Sequence, residues 1–202
     1  MSMPNNNNLS PASGPLTYLS PDDRPYSPFK DYELGGLTLD NVSAGLTFQV
    51  WNVEYFPDIG RIRLQAEGSG EIVNIIDELF GVTNVTFSFD RNMRLTLAYR
   101  RETPGSEGLY LYFYDATLPG YRTATILDGT YPQLCHDDKR EGATNSDVIL
   151  TYIRSIDNRV CQRLQRDAYS VEYDLGFTSN KPLIKVGMTT ENKLGLSFGI
   201  VT

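Results

Sequence analysis

The chain has 202 residues, of which 40% are hydrophobic and 21% are charged, and its formal net charge is −7. This length accommodates one domain of about 150 residues with an extension. The acidic balance excludes the usual binders of nucleic acid and of anionic membranes, because those proteins present a basic face. No apolar run reaches the roughly 18 residues of a membrane span, and the N-terminus does not read as a secretory signal. We therefore expect a protein that is made and kept in a cytoplasm or that leaves it by another route.

Residues 1–45 are predicted to form an extended arm. A run of asparagines precedes five prolines that recur between residues 11 and 28. Each proline lacks a backbone donor and pushes the residue before it toward extended geometry, so this stretch is neither a helix nor a central strand. We expect the arm to gain order only against a partner chain, with Tyr18, Tyr26 and Phe29 as its apolar anchors.

Residues 46–202 are predicted to form an all-β domain. Short runs of alternating apolar and polar residues end in turn residues about every eight to twelve positions. Such runs occupy residues 47–53, 61–65, 85–89 and 94–99. Only residues 71–80 could form a helix, and their length favours a strand or a single turn.

The strand pattern repeats along the chain. Residues 95–101 align with 148–154, residues 87–90 with 134–137, and residues 112–115 with 164–167. A partial earlier unit covers residues 51–80, and a truncated later unit covers 192–198. Units of roughly 45–50 residues with about four short strands have the size of propeller blades. We predict repeated antiparallel strand units in a β-propeller-like or sandwich arrangement.

The last unit supplies one recognisable strand, so its edge needs a partner. Residues 37–46 follow a pair of glycines, and residues 37–39 alternate correctly, which favours closure within the chain by this segment. The other route is a strand added by a neighbouring protein.

The residues that commonly carry chemistry are sparse. Cys135 and Cys161 are too few for a disulfide scaffold and are interpreted as half-buried thiols in neighbouring strands. His136 is the only histidine, and together with Asp137 and Asp138 it is interpreted as part of a turn. We expect no catalytic residues, no metal and no cofactor.

The pattern Ser88-x-Asp90-x-Asn92 resembles the Asp-box turn of sialidase-like propellers. In that turn the aspartate bonds to the turn backbone and is structural. Sialidase chemistry also needs an arginine cluster and a tyrosine–glutamate pair, which the spacing here does not assemble. A sialidase-like hydrolase is the enzyme hypothesis to exclude.

Two further groups have two interpretations each. Arg163 and Arg166 belong to mixed-sign clusters that form either cross-strand ion pairs or an inter-subunit network. Tyr114 and Tyr121 either stack on sugar rings or pack across strands, and packing is the commoner use.

Three stretches carry a resemblance to a known family. CHDDKR at 135–140, SDVILTYIR at 146–154 and QRLQRD at 162–167 are similar to segments of structural proteins of tailed bacteriophages. FSFDRNM at 87–93 is similar to another segment of theirs. The likeness covers residues 46–200. It implies a component of the virion near the tail that joins fibres or spikes to the tail body.

From this resemblance we predict a non-enzymatic tail protein, located in the virion and present in several copies as a homo-oligomer. Its partners are other virion tail proteins, through Tyr18, Tyr26, Phe29, Arg163 and Arg166, with no nucleic acid and no membrane. The alternative is a carbohydrate-binding module that recognises host surface glycans.

Overall fold

The computed structural model describes residues 27–38, 47–66, 72–90, 94–115, 117–118, 120–136, 147–188 and 193–199. These residues form fourteen β-strands in four antiparallel sheets. One turn of 3-10 helix covers Gln165–Asp167, and the described ranges contain no α-helix. The predicted all-β fold is confirmed.

The strands follow one another in chain order within every sheet. The first sheet contains β1 (Lys30–Thr38), β2 (Thr47–Phe56), β3 (Arg61–Ala66) and β4 (Ile72–Ile76). The second contains β5 (Val82–Phe89), β6 (Leu95–Arg101), β7 (Gly108–Asp115) and β8 (Gly120–Ile126). The third contains β9 (Gly129–His136), β10 (Val148–Arg154), β11 (Arg159–Leu164) and β12 (Tyr173–Thr178). The fourth contains β13 (Leu183–Met188) and β14 (Leu194–Phe198).

Two of the three predicted repeat alignments coincide with this order. The aligned segments 95–101 and 148–154 are β6 and β10, the second strands of their sheets. The alignment of 87–90 with 134–137 matches the first strands β5 and β9. The alignment of 112–115 with 164–167 is wrong as a strand match, because 112–115 lie in β7 whereas Gln165–Asp167 form the 3-10 helix after β11. The weak segment 71–80 contains the short strand β4, as expected from its length.

The sheets stack face to face. The first strand of each sheet packs against the first strand of the next, so β1 lies on β5, β5 on β9 and β9 on β13. One hydrophobic cluster fills the space between the first and second sheets, and a second cluster fills the space between the second and third. Two smaller clusters lie between the third and fourth sheets. The arrangement combines the face packing of a sandwich with the strand order of propeller blades.

Burial along the strands explains their sequence patterns. In β10 six consecutive residues are buried, because the strand lies between two other sheets. In β7, by contrast, Leu109, Leu111 and Phe113 are buried while the tyrosines between them are half-buried. The outer strands therefore alternate, and the inner strands are continuously apolar or small and polar.

A polar link crosses the inner strands of three sheets. The hydroxyl of Thr86 on β5 donates to a carboxylate oxygen of Asp31 on β1 at 2.5 Å. The same carboxylate oxygen accepts the backbone N–H of Phe87 at 3.2 Å. From the other side, the N–H of Leu134 on β9 donates to the Thr86 hydroxyl at 3.4 Å. Buried polar groups that are bonded in this way fix the register between sheets.

The first unit begins earlier than the sequence indicated. Residues 30–38 lie within the predicted arm, yet they form β1 and pair with β2. No proline follows Pro28 in this stretch, so its backbone can donate to a ladder. The carbonyl of Pro28 also accepts the N–H of Val85 at 2.8 Å, which fastens the entry of β1 to β5 within the same chain. Residues 1–26 and 39–46 lie outside the described residues.

The described part of the strand expected to close the last unit pairs elsewhere, and its residues 39–46 lie outside the described residues. Leu37 and Thr38 of the proposed segment 37–46 pair with Phe48 and Thr47 of β2. Their nearest sequence neighbour supplies an antiparallel partner after a short connection, which is cheaper to form than a contact with the distant β14.

Candidate interaction site

The connectivity places several turns at one end of the stack. Because consecutive strands run antiparallel, the turn after the second strand of a sheet lies at the same end as the link after its fourth strand. Each link leads into the first strand of the next sheet, so the turns after the second strands and the links after the fourth strands all lie at one end of the stack. The turn end comprises residues 57–60, 77–81, 102–107, 127–128, 155–158 and 179–182.

Four of these six segments expose one large apolar side chain each. The exposed fractions are 50% for Ile59, 51% for Phe80, 72% for Leu127 and 79% for Ile156. Single exposed apolar residues are normal on a protein surface, but four at one end of a fold indicate a contact surface.

Ile59 and Phe80 are held side by side. The N–H of Leu79 donates to the carbonyl of Gly60 at 2.7 Å, which ties the two turns together. Gly60 has a positive φ of 59°, and an added Cβ would lie 2.9 Å from the ring of Phe80. Glycine is required at this position, because it permits both the left-handed backbone and the close approach of the ring.

Leu127 and Ile156 form a second fixed pair. The N–H of Ser155 donates to the carbonyl of Asp128 at 2.7 Å, so their turns are adjacent. The guanidinium of Arg100 on β6 donates to the carbonyls of Leu127 at 3.3 Å and Gly129 at 3.0 Å. These bonds immobilise the backbone that carries the exposed side chains, which lowers the entropic cost of binding.

The opposite end of the stack carries internally bonded polar groups and also exposes two apolar side chains, Leu118 at 58% and Val171 at 44%. Asp90 accepts the N–H of Arg94 at 2.9 Å through its side chain, and its own N–H donates to the carbonyl of Arg94 at 2.9 Å. The predicted role of Asp90 in its turn is confirmed. The amide of Gln165 donates to the carbonyl of Tyr114 at 3.4 Å, so this end also links the second and third sheets.

Tyr114 and Tyr121 pack mainly on their own chain. The guanidinium of Arg94 lies over the ring of Tyr114 at 4.1 Å. Tyr121 stacks on Tyr112 with ring centroids 4.7 Å apart, and its hydroxyl accepts the N–H of Leu95 at 3.3 Å. These contacts are the cross-strand packing that was the commoner interpretation, although one side of Tyr121 remains exposed.

Arg163 lies in an intrachain network rather than on an open surface. It donates to the hydroxyl of Tyr152 at 3.1 Å, to the carbonyl of Tyr169 at 2.9 Å and to Glu172 at 3.4 Å. Glu172 also accepts from Arg154 at 2.6 Å. Of the two interpretations of this cluster, the structure shows the cross-strand ion pairs within one chain.

The same network shifts the pKa values of its members. Burial acts to raise the pKa of Glu172, and the hydrogen bonds from Tyr152 and Arg154 outweigh it, so that the pKa lies below its ordinary value. The hydrogen bond from Arg154 lowers the pKa of Asp157. Burial raises the pKa of the Tyr152 hydroxyl, which keeps it protonated as a donor to Glu172.

The other predicted contact residues have separate positions. Arg166 is half-exposed and pairs with Asp147 at 2.5 Å. Phe29 packs against Tyr55 with ring centroids 5.9 Å apart, so this anchor contacts its own chain. Tyr18 and Tyr26 lie outside the described residues, and the structure does not bring Phe29, Arg163 and Arg166 together in one sheet.

The cysteines differ from their predicted placement. Cys135 lies on β9 and Cys161 on β11, with β10 between them, so the strands are not neighbours. Both thiols are fully buried instead of half-buried. Burial raises the pKa of the Cys161 thiol to about 11, which suppresses its reactivity.

His136 is buried on β9, whereas Asp137 and Asp138 lie outside the described residues. Among the residues that the structure describes, no group of three His, Cys, Asp or Glu side chains could hold a metal ion. The same residues include no helix of the length and apolar character needed to cross a membrane.

The apolar residues of the turn end were not singled out from the sequence. A usable signal exists, because Ile59, Leu127 and Ile156 each stand directly beside an aspartate within a turn. An apolar side chain in such a polar turn points away from the hydrophobic core.

Comparisons with protein-family models, with curated proteins and with solved structures found no match for the chain.

Proposed function

We propose that the chain is a non-catalytic structural protein of a bacteriophage tail, which joins other tail polypeptides through its turn end. The observation that carries this proposal is the set of four exposed apolar side chains on turns whose backbone is fixed by hydrogen bonds. Burying one such side chain at an interface contributes about 1.5–3 kcal/mol. Four of them provide the anchors of a specific contact.

The composition of the turn end matches that of a protein interface. Asp58, Asp128 and Asp157 stand beside the apolar residues and supply a polar rim. Apolar anchors surrounded by polar groups are typical of contacts between folded proteins. A catalytic pocket would instead gather titratable groups around a cavity.

The assignment to a phage tail rests on the sequence resemblance over residues 46–200. The resemblance implies a virion protein, present in several copies, that connects fibres or spikes to the tail body. A stack of rigid sheets suits this role, because it transmits position from one partner to another.

The test compares two ends of the molecule. The double variant Leu127→Asp, Ile156→Asp alters the turn end, and Leu118→Asp is the matched control, since Leu118 is 58% exposed at the opposite end. Each variant is supplied to a phage that lacks its own copy, and particles are purified by density gradient. We expect the wild-type chain and the control in the particles and the double variant in the soluble fraction. Absence of the wild-type chain from particles, or full incorporation of the double variant, would contradict the proposal.

A second candidate function is the binding of host surface glycans. The half-exposed ring of Tyr121, stacked on Tyr112, is the observation that favours it. A glycan array probed with the wild-type chain and with Tyr121→Ala tests this candidate. Binding that the substitution removes would support it.

A further inference from the structure

The fourth sheet differs from the other three in its width. The first three sheets have four strands each, whereas the fourth has only β13 and β14 among the described residues. Within those residues β14 pairs with β13 on one side, and its other side is an edge. An edge strand presents backbone donors and acceptors that another strand can pair with.

Apolar side chains lie uncovered beside this edge. Tyr173 and Phe177 on β12 are 42% and 40% exposed. Tyr173 lies opposite Gln162 in the register of β11 and β12, and Leu175 and Phe177 follow it at alternate positions, so all three point to the same face of the third sheet. That face is the one toward the fourth sheet, because Leu175 packs near Leu183 and Phe177 contacts Phe198.

The second sheet shows how the opposite face of the third sheet is covered next to the second strand. There the third strand, β7, lies beside β6 and directs Leu109, Leu111 and Phe113 onto the third sheet. All three are almost completely buried, and Phe113 packs edge-on against Tyr169 at 4.9 Å. The corresponding position in the fourth sheet is the one beside β14.

We propose that β14 accepts a β-strand from another polypeptide, whose alternate apolar side chains cover Tyr173, Leu175 and Phe177. The added strand pairs with the free edge of β14 and occupies the place that β7 holds in the second sheet. This proposal rests on the proposed function for the identity of the partner, a tail protein with an extended segment. The site itself is defined by the fold.

A second copy of the chain cannot supply its own β14 as the strand that pairs with β14 of the first copy. If the two β14 strands paired antiparallel with their apolar faces on the same side, both third sheets would lie on that side. The outer strands β11 and β12 of one copy would then occupy the volume of β9 and β10 of the other. The site therefore takes a single extended segment or a narrow hairpin instead of another folded sheet.

The experiment uses a peptide as the strand donor. Residues 108–115, the sequence of β7, are synthesised with two added lysines for solubility and a fluorophore, and are titrated with the intact 202-residue protein. A control peptide carries Leu111→Lys and Phe113→Lys, which removes the apolar face. Binding is followed by fluorescence anisotropy, and hydrogen exchange locates the peptide on the protein.

We expect saturable binding of the β7 peptide, slower exchange of the β14 amides, and no binding of the control peptide. The protein variant Tyr173→Lys, Phe177→Lys is expected to weaken binding about tenfold or more, because a desolvated ammonium opposes burial. The matched variant Ile156→Lys, at the turn end, should bind as the wild type does. Circular dichroism and thermal unfolding establish that each variant is folded.

Absence of saturable binding, or protection that maps away from β14, would overturn the proposal. So would self-association of the free protein with protection of β14, because the occupant would then be a second copy. Incorporation of the chain into virions with no peptide binding would refute this site and leave the proposed function standing. Peptide binding by a chain that is absent from virions would support this site and refute the proposed function.

Discussion

The two faces of the third sheet show how the burial of a side chain depends on the sheet that packs against it. On the face toward the second sheet, Leu150 and Tyr152 are completely buried, and Arg163 closes the outer part of the face with hydrogen bonds. On the face toward the fourth sheet, the inner strands are equally buried, but Tyr173 and Phe177 on β12 are exposed. The strand β12 is exposed on both faces, because Asp174 and Thr178 on the side of the second sheet are exposed as well. We call the face that Arg163 closes the complete interface, and the face toward the two described strands of the fourth sheet the half-complete interface.

The difference follows from the number of covering strands. The second sheet covers the third with four strands, whereas the fourth sheet contributes two among the described residues. Burial on the fourth-sheet side ends where β14 ends. Beyond that point Tyr173 and Phe177 on β12 stay 42% and 40% exposed, although Phe177 contacts Phe198 and the hydroxyl of Tyr173 donates to Asp167.

The largest effect is expected from a cavity in the complete interface. Leu150→Ala removes a fully buried side chain between the second and third sheets and should cost about 2–5 kcal/mol of the free energy of unfolding. Leu196→Ala, in the half-complete interface, should cost less, because Leu196 is only partly buried. Urea unfolding measures both. Equal losses would show that the two faces are packed alike.

A smaller loss is expected from Glu172→Gln, which weakens the network that closes the complete face. The amide has one acceptor oxygen instead of two and no negative charge, so it cannot keep both ion pairs with Arg154 and Arg163, and we expect a loss of about 1–3 kcal/mol. Glu102→Gln is the control, since its contact with Arg100 is exposed and 3.8 Å long, and it should change stability by less than about 1 kcal/mol. If the two variants lose the same stability, the network is not part of the closure.

The same network predicts a dependence of stability on pH. The pKa values of Glu172 and Asp157 are lowered in the folded protein, so their contribution is fully present above the unfolded values of about 4.3 and 3.9. It is lost as the pH falls through the lower folded values. Unfolding measured from about pH 6 to about pH 3 should show a steeper acid decline in the wild type than in Glu172→Gln. Parallel curves would contradict this assignment.

The smallest effect is expected on the uncovered strip. Tyr173→Ser together with Phe177→Ser should cost about 1 kcal/mol of the free energy of unfolding per site, because each ring keeps one contact, with Asp167 and with Phe198, and is otherwise partly exposed. The variant should remain soluble and folded by thermal unfolding and circular dichroism. A loss comparable to that of Leu150→Ala would mean that these rings belong to the folded core.

Much of the fold follows from local patterns in the sequence. The alternation of β7 and the alignment of residues 95–101 with 148–154 predicted strands that occupy equivalent places in their sheets. These features are local and periodic, and side-chain direction in a strand has a period of two. The start of the first unit was missed, because the prolines before residue 28 masked the strand that begins at Lys30.

The candidate sites were less predictable, because they depend on contacts between distant residues. Arg163 and Glu172 are adjacent in space only after β11 and β12 turn back on one another. The exposure of Tyr173 depends on how many strands the next sheet has, which no local pattern records. Ile59 and Ile156 read as ordinary turn residues until the connectivity places their turns at one end.

Hydrogen exchange on the free 202-residue protein tests most directly whether the fourth sheet is open. The strands β14 and β6 hold the same second place in their sheets, but β6 is paired on both sides, by β5 and by β7. We predict that the amides on the outer side of β14 exchange much faster than those of β6 and that the β7 peptide slows them. Amides of β14 as well protected as those of β6, with no peptide present, would contradict the account.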